Sequence, residues 1–105
     1  MNPKPGEVYL VDFGFAGKKR PVVIVSREDA DAQRALAVVL PLTTSKRGGA
    51  YEVNLGKLRF LHAESAANVQ GITPVEHHEL RNCLGKISEP VMRDVKAALR
   101  HLLDL

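Results

Sequence analysis

A chain of 105 residues, 45% hydrophobic and 26% charged, has material for one core and not for two, so a single domain over residues 1–105 is expected. No apolar run reaches the length of a membrane span, the N-terminal Met1-Asn2-Pro3-Lys4-Pro5-Gly6 lacks a signal-peptide core, and the lone cysteine, Cys83, can form no internal disulfide. These features predict a cytoplasmic protein held by packing alone, and the formal charge of +3 gives only a mild tilt towards polyanions.

Residues 7–13 alternate as a first strand after the turn at Pro5-Gly6, with Val8, Leu10 and Asp12 on one face. Residues 14–19 form a basic, glycine-bearing loop. It leads into Lys18-Lys19-Arg20-Pro21-Val22-Val23-Ile24-Val25-Ser26. With Ala37-Val38-Val39-Leu40-Pro41-Leu42-Thr43-Thr44-Ser45, that run is short and β-branched enough to predict two neighbouring strands rather than helices. Residues 27–34, between them, lack helical spacing and are of a length to close an antiparallel hairpin. In such a pair the numbers of opposed residues have a constant sum, so a turn centred near Asp31 and Ala32 sets Arg20 opposite Thr43. Pro21 and Pro41 fall at the same end. Neither has an N–H for the ladder, so an edge, bulge or rim is expected there. A cation, hydroxyls and irregular backbone converge at this end, which makes it a candidate anion site.

Residues 44–49 are a second small basic loop, and residues 51–55 resume strict alternation. Residues 57–64 read as a connection carrying Phe60 and Leu61. A short strand is expected over 65–70, with Asn68 and Gln70 on one face, and a last strand over 80–87. Between those two, residues 73–76 suggest a helical turn with Thr73 as its cap and Pro74 in its first position. Ser88-Glu89-Pro90 opens the one long amphipathic helix, with Val91, Met92, Val95, Ala98, Leu99, Leu102 and Leu103 on its apolar face. Short strands joined by turns and followed by one helix describe a mainly β fold, a small barrel with a helix packed on it. Cys83, in a plain Leu80-Arg81-Asn82-Cys83-Leu84-Gly85 context, is expected to be a small buried side chain rather than a nucleophile.

The catalytic inventory is short. The chain has no glycine-rich phosphate loop, no nucleophile elbow and no cysteine pair for zinc. His77-His78-Glu79 is the one metal-like cluster, but adjacent histidines point apart on either a helix or a strand, so surface histidines are expected. His62 and His101 are likewise expected at or near the surface.

Taken in order, Gly6-Glu7-Val8-Tyr9, Lys19-Arg20-Pro21-Val22-Val23-Ile24-Val25-Ser26, Pro41-Leu42-Thr43-Thr44-Ser45, Ala66-Ala67-Asn68-Val69-Gln70 and the stretch from Leu80 to Ile87 resemble the MazF/PemK family of toxins from bacterial toxin–antitoxin pairs. The match runs over nearly the whole chain. The resemblance implies an SH3-like barrel of five to seven short strands with a C-terminal α-helix, a homodimer, and a cognate antitoxin with an acidic, disordered tail. It also implies a metal-independent endoribonuclease, without cofactor, that cuts single-stranded RNA at a short preferred sequence. The arginine before the proline and the threonine ending the third strand are the catalytic pair of that family. They correspond to Arg20 and Thr43, the two residues that the hairpin arithmetic brings together.

Around this pair, Lys18, Lys19, Lys46 and Arg47 are candidate phosphate contacts, and Thr44, Ser45, Asn68 and Gln70 are further RNA-binding candidates. Phe13, Phe15 and Tyr51 are either stacking surfaces for unpaired bases or core residues. The loop at 14–19 is shorter than in many members, so base preference does not transfer. Two rival readings keep the barrel and drop the chemistry. One is a gyrase-binding toxin like the CcdB group, and the other is an interaction module in which Arg20 merely satisfies a carboxylate.

Overall fold

The computed structural model describes residues 2–12 and 19–105. Its elements run β1 (Glu7–Asp12), β2 (Lys19–Ile24), β3 (Leu36–Thr43), β4 (Glu52–Gly56), β5 (Ser65–Asn68), β6 (Thr73–Glu76), β7 (Leu80–Lys86) and α1 (Glu89–Leu103). The strands pair antiparallel in the order β4-β5-β3-β2-β1-β7, with β6 added to β3. This is the mainly β, SH3-like arrangement with a C-terminal helix, and its sheet is open, β4 and β7 being the two ends of the path.

β3 organises the sheet. One edge pairs with β2, while the other is shared, residues 36–39 meeting β6 and residues 42–43 meeting β5. The period of two then sorts its side chains into two buried clusters. Val8, Val23, Leu40 and Leu42 belong to one, which α1 covers with Met92 and Val95. Tyr9, Val11, Val22, Ile24 and Val39 belong to the other. Strands buried on both faces read as continuous apolar runs, which is why Val22-Val23-Ile24 shows no alternation. It also corrects the expected single inner face of β1, since Tyr9 and Val11 are buried opposite Val8 and Asp12 is exposed.

The tyrosine is accommodated by a partner. Its phenol donates to Glu7 Oε1 at 3.1 Å, and burial, with that carboxylate beside it, pushes its pKa above the usual tyrosine value, so it remains a donor. Gly6, with φ of +91°, donates to Ile24 O and accepts from Ile87 N, and so ties the end of β2 to the start of the helical segment.

Four local expectations are corrected. Residues 73–76 are a strand, because Thr73 to Glu76 pair with Val39 to Leu36; the helical turn lies just after, at His77–Glu79, where Glu76 and Glu79 form a capping box. Cys83 is exposed, since β7 ends the sheet and carries a register shift against β1, with Asn82 at positive φ. Leu103 lies outside the packed stripe and is 49% exposed, because the helix gives way to a left-handed Asp104 one residue later. The expected strand over 65–70 stops at Asn68, and a 3-10 turn, Val69–Gly71, carries Gln70.

The helix should therefore contribute to stability most through its buried Met92 and Val95. Met92→Ala is expected to lower unfolding free energy by about 2–5 kcal/mol and Leu103→Ala to change it by less than about 0.5 kcal/mol, as measured by urea denaturation.

Candidate functional site

The observed β2–β3 register runs Ile24↔Val39, Val23↔Leu40 and Val22↔Pro41. Its continuation sets Arg20 against Thr43, as the hairpin arithmetic requires. The ladder itself stops at Val22 and Pro41, whereas β2 goes on pairing with β1 through Arg20↔Val11 and Lys19↔Asp12. Pro21 and Pro41 lie where it stops. β2 and β3 are thus interior strands that part at one end, and the parting is a rim rather than a sheet edge.

A cavity of about 250 Å³ occupies the gap, with Lys19, Arg20 and Pro21 on one wall and Leu42, Thr43, Thr44 and Ser45 on the other. Ser65, buried at 3% exposure, completes it. Arg20 shares strand parity with Val22 and Ile24, and Thr43 with Val39, so both belong to the same face of the sheet. Among the described residues the Arg20 side chain has no hydrogen bond or ion pair, and no carboxylate lines the gap. Thr43 Oγ1 accepts from Ser45 N at 3.0 Å, an arrangement that leaves the hydroxyl proton free to donate outward. A guanidinium and a hydroxyl lining a small space without acidic residues make it a candidate anion site.

A second cavity, about 560 Å³, adjoins the first through Thr43 and Ser45. Arg47, Asn68 and Gln70 also line it, so two of the sequence-based candidates that lie far along the chain meet the cleft. Lys46 does not join them. Its ammonium lies 3.1 Å from Glu64 Oε2 and 3.3 Å from Asn54 Oδ1, which ties the β3–β4 loop to the segment before β5. Phe13, Phe15 and Lys18 lie outside the described residues.

Sequence reasoning missed several contributors. Glu52 Oε1 accepts from the backbone N–H groups of Arg47 and Gly48, at 2.8 and 2.9 Å, and so fixes the loop that carries Arg47. Gly71 lines the cavity where an added Cβ would lie 2.5 Å from Pro41 Cγ, so glycine is needed for the close approach of the 3-10 turn to β3. Tyr51 is not a core residue. It is 37% exposed, lines the larger cavity, and rests against His101 with ring centroids 5.4 Å apart. His77 and His78 line neither of these cavities, and a His78 ring nitrogen is paired to Glu76.

The sequence and the fold match known proteins. Residues 4–103 match the family described as PemK-like, MazF-like toxin of type II toxin-antitoxin system. The chain belongs to this family. A Mycobacterium tuberculosis protein named probable endoribonuclease MazF5 is 35% identical over 103 residues, which are 97% of this chain and 94% of that protein. Among solved structures, an endoribonuclease in complex with its cognate antitoxin from mycobacterial species superposes with a TM-score of 0.85 at 29% identity, covering 98% of this chain and 96% of the other. A second mycobacterial endoribonuclease gives a TM-score of 0.84 at 28% identity, covering 100% and 94%.

Proposed function

We propose that this toxin is a metal-independent endoribonuclease that cleaves single-stranded RNA, with Arg20 and Thr43 as its catalytic residues. The observation that carries the reading is the gap between β2 and β3, which both residues line and in which, among the described residues, no carboxylate takes part. The relatives named endoribonuclease support it against a gyrase-binding toxin or an inert module, neither of which needs such a pair.

In this mechanism a ribose 2′-oxygen attacks the adjacent phosphorus, the bond from phosphorus to the 5′-oxygen breaks, and the products are a 2′,3′-cyclic phosphate and a 5′-hydroxyl. The pentacoordinate species carries extra negative charge. Arg20 stabilises it, because a guanidinium presents several donors in a fixed fork that spans two phosphate oxygens. Thr43 donates to a phosphate oxygen or holds the attacking hydroxyl, which is a positioning role. Lys19 and Arg47 add sequence-independent attraction for the backbone on either side. Among the described residues no histidine lines either cavity, so in this mechanism proton transfer relies on weaker groups and a modest rate follows.

Arg20→Ala should lower cleavage by at least about a hundredfold without moving the unfolding midpoint, and Arg20→Lys should also be poor. The parent should cleave equally well in EDTA. RNA cleavage followed on a gel, with full activity in Arg20→Ala, would end this assignment.

The partners follow from the same surface. A homodimer, sedimenting at twice the 11.5 kDa chain mass, would receive an antitoxin whose acidic tail lies over Lys19, Arg20 and Arg47. Among the described residues no helix is long and apolar enough to cross a membrane. A cytoplasmic location is part of the proposal, and an RNA substrate supports it. Tail peptide and RNA should compete, each binding more weakly as salt rises. Simultaneous binding without mutual weakening in a titration would rule out the shared groove.

A further inference from the structure

Of the two cations on the β3–β4 loop, Arg47 lines the larger cavity, whereas Lys46 lines neither. The Lys46 ammonium is held instead by Glu64 Oε2 at 3.1 Å and Asn54 Oδ1 at 3.3 Å. We propose that this clamp is a positioning device for Thr43, holding Ser45 where its N–H fixes the Thr43 hydroxyl, and that Lys46 serves cleavage through that hold rather than by touching RNA. The proposal rests on the ribonuclease reading and adds to it the residues that keep one wall of the cleft in place.

The strand register shows what the clamp spans. Thr43 pairs with Ala66 of β5, and Ala66 pairs in turn with Asn54 of β4, so the three lie side by side on one face of the sheet. Lys46, from beyond Thr43, reaches across to Asn54. Glu64 meets the same ammonium from the position before Ser65, which lines the gap. Both ends of the ion pair therefore adjoin the cleft, one next to Ser45 and the other next to Ser65. Asn54 is itself fixed, since its Oδ1 also accepts from Gly56 N at 3.0 Å where β4 shifts register against β5.

Thr43 Oγ1 accepts from Ser45 N at 3.0 Å, the bond that leaves the hydroxyl proton free to donate. That bond depends on where Ser45 sits. Residues 44–50 belong to no strand or helix, so the loop takes its path from side chains: Glu52 holds the N–H groups of Arg47 and Gly48, and Lys46 supplies the tie beside Ser45. A shift of about 1 Å in a positioning group is enough to slow a reaction by about a hundredfold. The pair does little for the fold itself, because its side chains are 30% and 63% exposed and wet ion pairs stabilise weakly. Its effect falls on rate.

Glu64→Ala separates this role from a direct phosphate contact, because it releases the ammonium and removes a negative charge near the cleft. A phosphate-binding Lys46 would then hold RNA more tightly and cleave no more slowly. The clamp predicts that single-turnover cleavage at saturating enzyme falls by about tenfold or more in Glu64→Ala, with RNA affinity not weakened and the thermal unfolding midpoint hardly moved. Lys46→Glu combined with Glu64→Lys should recover the rate to within about threefold of the parent, since Asn54 carries both a donor and an acceptor and serves the reversed pair equally. Exchange of the Ser45 amide with solvent, read by NMR without RNA, should quicken by about tenfold or more in Glu64→Ala. Parent-rate cleavage or unchanged Ser45 exchange in Glu64→Ala, or a reversed pair as slow as Glu64→Ala, would overturn the proposal. A parent that cleaves no RNA, but whose Ser45 amide loses protection in Glu64→Ala, would retain the clamp and remove the ribonuclease reading.

Discussion

The parting of β2 from β3 is the constraint on which the rest depends. A ladder that ran to the ends of both strands would pair Arg20 and Thr43 through their backbones and leave no space between them. Pro21 and Pro41 lie where it stops, and neither can donate to it. The pairing therefore ends at Val22 and Pro41 and a 250 Å³ gap opens beyond them. β1 keeps hold of Arg20 and Lys19 on one side, and β5 holds Thr43 on the other through Thr43↔Ala66. The gap is thus local, and its two walls are still strands.

Rigidity in those walls comes from burial on both faces of the sheet. Val22, Val23 and Ile24 are fully buried on alternate sides, as are Val39 and Leu40, so β2 and β3 have little freedom to close the gap or widen it. The helix contributes by covering one of these clusters with Met92 and Val95. The division of labour between framework and site is visible in the β3–β4 loop. Lys46 is used to anchor it, through Glu64 and Asn54, while Arg47 on the same loop faces the cavity.

The hairpin was legible because its register depends only on a constant sum and on the position of the turn, and Asp31 does sit in a turn closed by Asp29 Oδ1. The amphipathic helix was legible from its three-and-four spacing. Residues 73–76 misled because Thr-Pro is as good a helix start as it is a strand segment; pairing with Val39 to Leu36, a tertiary fact, decided between them. Cys83 misled because burial depends on whether its strand has one neighbour or two. At the site, Arg20, Thr43, Asn68 and Gln70 could be named from the chain. The supporting Glu52, Gly71 and His101 could not, because each acts through a contact set by the fold and none belongs to a motif.

Two residues that stabilise the same transition state from opposite walls of one gap should not act independently. Single-turnover cleavage by Arg20→Ala, Thr43→Ala and the double variant measures this directly. The account predicts that the double variant is about as slow as the slower single variant, because either loss already removes the shared hold on the phosphate. Losses that multiply would place Arg20 and Thr43 in separate tasks and contradict a common site between β2 and β3.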